Sequence, residues 1–277
     1  MGIGRLINGG LSRFGLHLSR VPRRNLSDSG FSPELTQEID IVHEMSRFRA
    51  NDLRQYFLNN SSQDIHKWHH YFEIYDHWFS DYRSKIDLCV LEIGVFRGGS
   101  LKMWREYFRP EATIVGLDID VDCKTYENPG MKIFVEIGDQ TDTSFLEYVV
   151  EKFGPFDIII DDGGHTTAQQ TTSFNFLYAN GLNDNGIYLV EDLHSNYWPK
   201  FQDAELSFID FVKPLVDLLH EPYLAHHSEL EFREGNPRQL RSMKVSEFCA
   251  NTRSISFYDS IVVIAKRKKS IPISEIR

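Results

Sequence analysis

Cysteine, positive charge and long apolar runs are all scarce in this chain. Its 277 residues include three cysteines, Cys89, Cys123 and Cys249, and no CxxC pair, so neither a disulfide framework nor a thiolate zinc site is indicated. Lysine and arginine number 30 against 40 acidic residues, and the formal net charge of -10 disfavours nucleic acid, whose phosphates require a basic face. No segment approaches the ~20 apolar residues of a membrane span. We therefore expect a folded enzyme of a reducing compartment, located in the cytoplasm.

The N-terminal segment, residues 1–24, has the opposite charge to the whole chain. It carries five arginines, interleaved with apolar side chains, and no acidic residue. It lacks the continuous apolar region of a secretion signal. One interpretation is a basic amphipathic helix in peripheral contact with an anionic membrane, although Gly9 and Gly10 would weaken that helix. We favour a frayed tail or an arm packed on a neighbouring subunit.

Histidine and aromatic residues crowd together from His66 to Tyr82. His66 and His70 have the i, i+4 spacing of metal ligands on a helix, but no acid completes an HExxH arrangement, so we do not favour a metal there. The aromatic residues recur every three or four positions. They predict one helix face that packs onto the domain or roofs its ligand pocket, formed by Trp68, Tyr71, Tyr75 and Phe79.

Short apolar runs alternate with helical patterns from Ile86 onward. The runs are DLCVLEIG, ATIVGLDID, MKIFVEIGD, FDIIIDD and GIYLVED, and such continuous runs are typical of parallel strands buried on both faces. Further helices are predicted near residues 144–153, 168–179 and 204–220. Two strand-like runs in SISFYDSIVVIAKRKK meet at Asp259 and Ser260 and predict a hairpin. The predicted fold class is α/β, a doubly wound, mostly parallel seven-stranded sheet with an antiparallel C-terminal hairpin.

The end of the first predicted strand, LEIGVFRGGS, favours a cationic ligand. Gly94 and the two glycines that follow allow a sharp turn and a close backbone approach, while Glu92 places a carboxylate at the strand end. A dinucleotide site would show GxGxxG, which is missing here. S-adenosylmethionine carries an amino group and a sulfonium, and both favour nearby carboxylates.

The next two strand ends supply further candidate cofactor contacts. In GLDID, Asp118 is placed to accept hydrogen bonds from ribose hydroxyls. In IGDQTD, Asp139 and Gln140 can meet the edge of adenine, because a carboxylate accepts hydrogen bonds and an amide both accepts and donates them. Each acid alone could equally cap a turn or a helix. Their occurrence at successive strand ends favours a cofactor site.

Four acids end the fourth and fifth predicted strands, in IIIDDGGHTT and YLVEDLHSNYW. Such acids would repel one another without a cation, and their hard oxygens suit Mg²⁺, with Mn²⁺ or Ca²⁺ as substitutes. We favour Asp162, Glu191 and Asp192 as ligands. Because side chains alternate along a strand, Asp161 is a reserve ligand or a brace for the sheet. Beyond the Gly-Gly turn, His165 is the candidate general base.

Three residues of the segment after the fifth strand have weaker assignments. His194 is an alternative to His165 as the base. The aromatic side chains of Tyr197 and Trp198 could line the pocket of the methyl acceptor.

Together, LEIGVFRGGS, GLDID, GDQTD, DDGGH, YLVEDLH and SISFYDSIVV resemble the metal-dependent sugar O-methyltransferases of macrolide antibiotic pathways, of the mycinamicin and tylosin type, over roughly residues 68–267. The resemblance implies a class I S-adenosylmethionine-dependent O-methyltransferase with a Rossmann-like fold, the cofactor, metal and base residues assigned above, and homo-oligomers. The charge and periodicity of the chain further predict three parts: a basic arm and helical extension (1–60), the methyltransferase domain (61–270) and a tail (271–277).

The acceptor implied by the resemblance is a hydroxyl group of a sugar or glycosylated small molecule. A catechol or another vicinal diol is an alternative acceptor, since two adjacent oxygens can chelate a metal. A non-catalytic cofactor-binding or assembly protein is a second alternative. A nicotinamide oxidoreductase is a third, although the missing GxGxxG argues against it.

Overall fold

The structure is a computed structural model, and it describes residue 48 and residues 50–277. The predictions for residues 1–47, among them the basic arm, lie outside the described residues. Within the described part no helix is long and apolar enough to cross a membrane.

A seven-stranded mixed sheet forms the centre of the described chain, in the order β3-β2-β1-β4-β5-β7-β6. Strands β1 to β5 run parallel to one another, whereas β7 runs antiparallel to both β5 and β6. The predicted fold class is thereby confirmed. The strands are β1 (Cys89–Ile93), β2 (Thr113–Asp118), β3 (Ile133–Ile137), β4 (Phe156–Asp161), β5 (Leu182–Val190), β6 (Thr252–Phe257) and β7 (Val262–Lys266).

Helices cover both faces of this sheet, and five short 3-10 helices join them, at Ser80–Ser84, Val121–Tyr126, Pro129–Met131, Leu193–Tyr197 and Glu229–Glu231. The α-helices are α1 (Asp52–Asn59), α2 (Tyr71–Phe79), α3 (Gly99–Tyr107), α4 (Thr143–Phe153), α5 (Thr167–Asn180), α6 (Phe208–Leu218), α7 (Glu221–Ala225) and α8 (Glu247–Asn251).

Two apolar cores, one on each face of the sheet, explain the continuous apolar runs of the strands. In β1, Leu91 and Ile93 join the core that packs under α4, α5 and α6, while Val90 joins the core under α1, α2 and α3. Since both faces are covered, every residue of β1 is buried. Leu53 of α1 lies in the same core as α2, so the end of the predicted extension packs on the sheet.

The structure shifts three predicted boundaries. Helix α2 begins only at Tyr71 and ends in a 3-10 turn, so the predicted helix across the His and aromatic run is shorter. Strand β5 begins at Leu182, four residues before the predicted GIYLVED run, and its register shifts against β4. Helix α6 begins after Ser207, because the Ser207 hydroxyl accepts from the amide of Asp210 at 3.1 Å and caps the helix.

Candidate active site

The carboxyl ends of the parallel strands surround a cavity of about 420 Å³. In an open α/β sheet this edge is where ligands gather. Seven of the nine predicted site residues line it, which supports the strand-end reasoning: Gly94, Asp118, Asp139, Gln140, Asp162, His165 and Asp192. The other two, Glu92 and Glu191, have no exposed surface. They lie beneath the residues that line the cavity.

Gly94 sets the closest approach between the loops that follow β1 and β4. Its φ is +94°, and a Cβ at this position would lie 2.1 Å from the carbonyl oxygen of Asp162. Its amide donates to the carbonyl of Leu117 at 2.7 Å. Only glycine combines a positive φ with a backbone contact that leaves no room for a Cβ, so the predicted close backbone approach is explained.

Asp118 holds the glycine-rich loop in place. One carboxylate oxygen accepts from the amides of Val95 and Phe96 at 2.8 and 3.1 Å, and the other accepts from the amide of Asp120 at 2.9 Å. Oδ1, which accepts a single hydrogen bond from these amides, can accept a further one. The contact with ribose hydroxyls thus stays a prediction, for a carboxylate whose orientation is already fixed.

The two candidates after β3 differ in their surroundings. Asp139 is exposed, and its carboxylate accepts from the amide and hydroxyl of Thr141, each at 2.8 Å. Gln140 is buried, and its amide nitrogen donates to Asp161 at 3.1 Å while its amide oxygen accepts from Gly164 at 2.9 Å. Gln140 therefore ties the β3 and β4 loops together. Contact of either residue with adenine stays a prediction.

Asp161 braces the interior of the fold. Its carboxylate accepts from the hydroxyl of Ser173 at 2.5 Å and from Gln140, and burial raises its pKa. It is not among the residues that line the cavity. The alternation of side chains along β4 thus turns Asp162 to the cavity and Asp161 toward α5, as the brace interpretation expected.

Three residues that can ligate a metal come together in the cavity: Asp162, His165 and Asp192. One ligand atom from each lies within 4.8 Å of the others. The carboxylate of Asp192 is 3.8 Å from Nε2 of His165. None of the described histidines between His66 and Tyr82 belongs to this group of possible metal ligands.

Three of the acids have one oxygen fixed by the protein. The hydroxyl of Tyr71 donates to Oδ1 of Asp192, and the hydroxyl of Tyr75 donates to Oε2 of Glu191, each at 2.7 Å. Oδ2 of Asp162 accepts from Lys67 at 2.6 Å. Oε1 of Glu191 is buried and has no hydrogen-bond partner among the described residues. Oriented hard oxygens with an unused buried acceptor fit a Mg²⁺ ion.

Lys67 lies at the centre of these acids, and the sequence did not predict it. Its side chain is 2% exposed, and its ammonium nitrogen is 2.6 Å from Asp162, 3.0 Å from Glu191 and 3.6 Å from Glu92. Burial lowers the pKa of Lys67, but the three carboxylates outweigh that effect and raise it well above its usual value. The three carboxylates therefore favour the charged form of Lys67. It joins Glu92, on the cofactor side, to the predicted metal ligands.

Burial also has the largest effect on the pKa values of Glu191 and Glu92, two of the acids around Lys67. It raises the pKa of Glu191 well above the usual range, and the neighbouring charge of Asp162 adds to the shift, while Lys67 opposes it. Burial likewise raises the pKa of Glu92, although the Ser100 hydroxyl donates a hydrogen bond to the Glu92 carboxylate at 2.7 Å. Burial and mutual repulsion thus disfavour the charged forms of these acids, and either protonation or a further cation would relieve that cost.

His165 is held through its backbone, and its ring remains available. It has a left-handed φ of +63°, and its carbonyl accepts from the hydroxyl of Ser195 at 3.1 Å and the side-chain amide of Asn196 at 2.9 Å. Its Nδ1 is buried with no hydrogen-bond partner among the described residues. A fixed imidazole beside a carboxylate can accept a proton.

His194, the alternative base, is engaged elsewhere. Its Nδ1 lies 2.5 Å from the hydroxyl of Ser260, and its ring lies between those of Trp68 and Trp198, with centroids 5.2 and 4.6 Å away. Trp68 is 44% exposed, so it does not pack onto the domain as Tyr71 does, and the alternative that it roofs the ligand pocket stays a prediction. Trp68 precedes α2 and therefore does not share that helix's buried face.

Known proteins similar to this chain are sugar O-methyltransferases, although no protein-family model matches it. The 8-demethyl-8-α-L-rhamnosyl tetracenomycin-C 2'-O-methyltransferase of Streptomyces olivaceus is 35% identical over 217 residues, 74% of this chain and 52% of the relative. The mycinamicin VI 2''-O-methyltransferase of Micromonospora griseorubida is 37% identical over 163 residues, 54% of this chain and 39% of the relative. The chain spans about half the length of these curated relatives.

A solved structure extends the likeness to the fold. It is the MycE methyltransferase of the mycinamycin biosynthetic pathway, in complex with Mg, S-adenosylhomocysteine (SAH) and mycinamycin VI. The match has a TM-score of 0.65 and 28% identity, and it covers 83% of this chain and 56% of that protein.

Proposed function

Because the chain has the class I S-adenosylmethionine-dependent methyltransferase fold and is related to the sugar O-methyltransferases of macrolide and tetracenomycin pathways, we propose that it methylates a hydroxyl group of a sugar or glycosylated small molecule. The observation that carries this proposal is one cavity shared by two sets of residues. Gly94, Asp118 and Asp139 form its cofactor side, and Asp162, Asp192 and His165 form its acidic side.

The residues of each side have separate tasks in this reaction. When bound, S-adenosylmethionine supplies an electrophilic methyl group and Mg²⁺ supplies positive charge that stabilises a developing oxyanion. Asp162, Glu191 and Asp192 would hold the metal. Glu92, Gly94, Asp118, Asp139 and Gln140 would surround the cofactor, as predicted from the sequence.

His165 is the proton acceptor in this proposal. Its Nε2 faces Asp192 at 3.8 Å, so that carboxylate stabilises the imidazolium formed when the acceptor hydroxyl loses its proton. In-line transfer would require the residues that line the cavity to hold the acceptor oxygen opposite the sulfur of the bound cofactor. The backbone contacts of His165 keep the ring in this position without using its nitrogen atoms.

Assembly and surface contacts belong to the same proposal. We propose a homo-oligomer in which residues 1–24 form an arm on a neighbouring subunit, because their charge is opposite to that of the whole chain. Light scattering of the full chain tests the oligomer. Cosedimentation with vesicles of anionic lipid tests the alternative, peripheral membrane contact through this segment.

The first experiment is calorimetric titration of S-adenosylmethionine and of NAD into the purified protein, each with Mg²⁺, with Mn²⁺ and with a chelator. We expect S-adenosylmethionine to bind and NAD not to bind. Turnover is then tested with 8-demethyl-8-α-L-rhamnosyl tetracenomycin-C, for which the Streptomyces olivaceus relative is named, and with a catechol.

Each outcome of this experiment decides between the alternatives. Methylation of the catechol alone would replace the sugar as acceptor. Cofactor binding without turnover of any hydroxylated acceptor would favour the non-catalytic assembly protein. Binding of NAD instead would overturn the methyltransferase proposal.

A further inference from the structure

Exposed aromatic side chains border the acidic side of the cavity. Trp68 is 44% exposed and Trp198 is 50% exposed. Their rings both contact the ring of His194, and Trp198 continues to Phe201, whose centroid is 5.9 Å from that of His165. We call Trp68, His194, Trp198 and Phe201 the aromatic wall. The wall is a continuous chain of rings that ends at the candidate base.

The backbone that carries this wall is fixed before His194. The amide of Leu193 donates to the carbonyl of Ser260 at 3.0 Å, and the amide of His194 donates to the Ser260 hydroxyl at 3.1 Å. The side-chain amide of Asn196 reaches the carbonyl of His165 and the amide of Phe208. The wall therefore keeps a constant position relative to the base.

The same backbone is fixed again after Phe201. The carboxylate of Asp203 accepts from the amides of Thr167 and Ala168 at 3.0 and 3.1 Å, at the first turn of α5. Because the segment is anchored at both ends, the exposure of Trp198 is a property of the folded protein and not of a frayed loop. Exposed apolar surface on a fixed segment is typical of a binding site.

We propose that the aromatic wall binds the less polar face of the acceptor's pyranose ring and directs one of its hydroxyl groups to Asp192 and His165. This inference rests on the proposed sugar O-methyltransferase function. The C–H groups on one face of a pyranose pack against aromatic rings, and an indole N–H can donate to a ring hydroxyl. The wall and the acids then contact opposite sides of the sugar.

The rings of the wall and of His165 do not lie in one plane. The rings of Trp68 and His194 meet at 80°, those of His194 and Trp198 at 69°, and those of Phe201 and His165 at 75°. These three contacts are edge to face, whereas the rings of Trp198 and Phe201 are tilted at 39°, so the rings form a stepped surface. The axial and equatorial C–H groups of a pyranose can contact such a stepped surface, and the comparison with catechol decides whether a flat aromatic acceptor packs there as well.

A binding experiment tests the wall without requiring turnover. Methyl α-L-rhamnopyranoside and catechol are added separately to protein loaded with SAH and Mg²⁺, and saturation-transfer NMR reports which ligand protons touch the protein. We expect transfer to the sugar C–H protons in the wild type and its loss in Trp68→Ala and Trp198→Ala. Tyr223→Ala is the control, because Tyr223 is 49% exposed and packs instead against Phe232.

Kinetics with the rhamnosyl tetracenomycin acceptor give the second readout. Trp198→Ala should raise the acceptor KM roughly 5- to 30-fold, the loss of one aromatic contact. Its kcat and its calorimetric affinity for SAH should change less than about threefold. Trp198→Phe should recover part of the KM, since a smaller aromatic face remains.

Failure of the wall and failure of the proposed function give different results. Equal saturation transfer in the wild type and both alanine variants, or transfer to catechol but not to the sugar, would overturn the wall. Turnover with an unchanged KM in both variants would also overturn it while leaving the function intact. Sugar binding that depends on Trp68 and Trp198 without any methylation would leave the wall and remove the function.

Discussion

Replacing Lys67 with methionine tests whether the buried acids depend on one internal cation. The change keeps a long apolar side chain but leaves Glu92, Asp162 and Glu191 without the ammonium nitrogen that lies within 3.6 Å of each. Removing one partner from a buried ion pair costs about 3–5 kcal/mol. At roughly 2–4 °C per kcal/mol for a domain of this size, the melting temperature should fall by about 6–20 °C.

The assay is urea denaturation and thermal melting in a chelator, so that no divalent ion replaces the lost charge. Lys85→Met is the matched control. Lys85 also pairs with a buried acid, Asp157, but its side chain is 44% exposed. Asp157 keeps hydrogen bonds from the amide of Cys89 and from Asn183 when the lysine is removed. The control should therefore lose no more than about 1 kcal/mol.

Glu191→Gln in the Lys67→Met background keeps the experiment informative where the single variant folds poorly. Removing one uncompensated carboxylate should restore part of the stability, and the coupling energy follows from the double-mutant cycle. A Lys67→Met protein as stable as Lys85→Met, or a second substitution that lowers stability further, would refute the argument that Lys67 compensates these acids.

Three further substitutions separate the tasks of the site. His165→Ala should leave calorimetric binding of S-adenosylmethionine unchanged and lower kcat by about 10²- to 10⁴-fold, and full activity would remove His165 from the mechanism. Gly94→Ala should destabilise the protein by more than about 2 kcal/mol, because its Cβ would overlap the Asp162 carbonyl. Gly235 is the control, since its φ is +74° but no atom lies within 4 Å of an added Cβ, and Gly235→Ala should cost about 1 kcal/mol. Equal losses of stability in the two variants would contradict the steric argument. Asp192→Asn should weaken calorimetric Mg²⁺ binding at least about 10-fold, and unchanged affinity would exclude Asp192 as a ligand.

The parts of the fold that the sequence predicts are those with local signals. Strand β4 is recognisable because Ile158, Ile159 and Ile160 are all buried, and a run of this kind requires helices on both faces. The start of β5 cannot be recognised from the sequence, because Leu182 is followed by polar residues that are partly or fully exposed. Its pairing with β4 depends on a register shift that no local pattern encodes.

The candidate site likewise contains residues with a local sequence signal and residues without one. That Asp162 would lie at a strand end was readable from DDGGH, and so was its alternation with Asp161. Lys67 was not readable, because it lies 95 positions before Asp162 and reaches the acids only when α2 packs on the sheet. The one available signal was a lysine just before the aromatic residues predicted to pack on the domain, where a buried unpaired charge would be costly.

The hydroxyls of Tyr71 and Tyr75 limit how far this site can be transplanted. A fragment beginning at β1 would keep all the strands of the sheet, together with Asp162, Glu191 and Asp192. It would lack the two hydroxyls, which lie 121 and 116 positions away in sequence from the carboxylates that they orient. Grafting the strand-end loops onto another Rossmann-like scaffold would thus transfer the ligands without their supports, and the smallest unit that carries the chemistry is the sheet with the segment from Lys67 to Phe79.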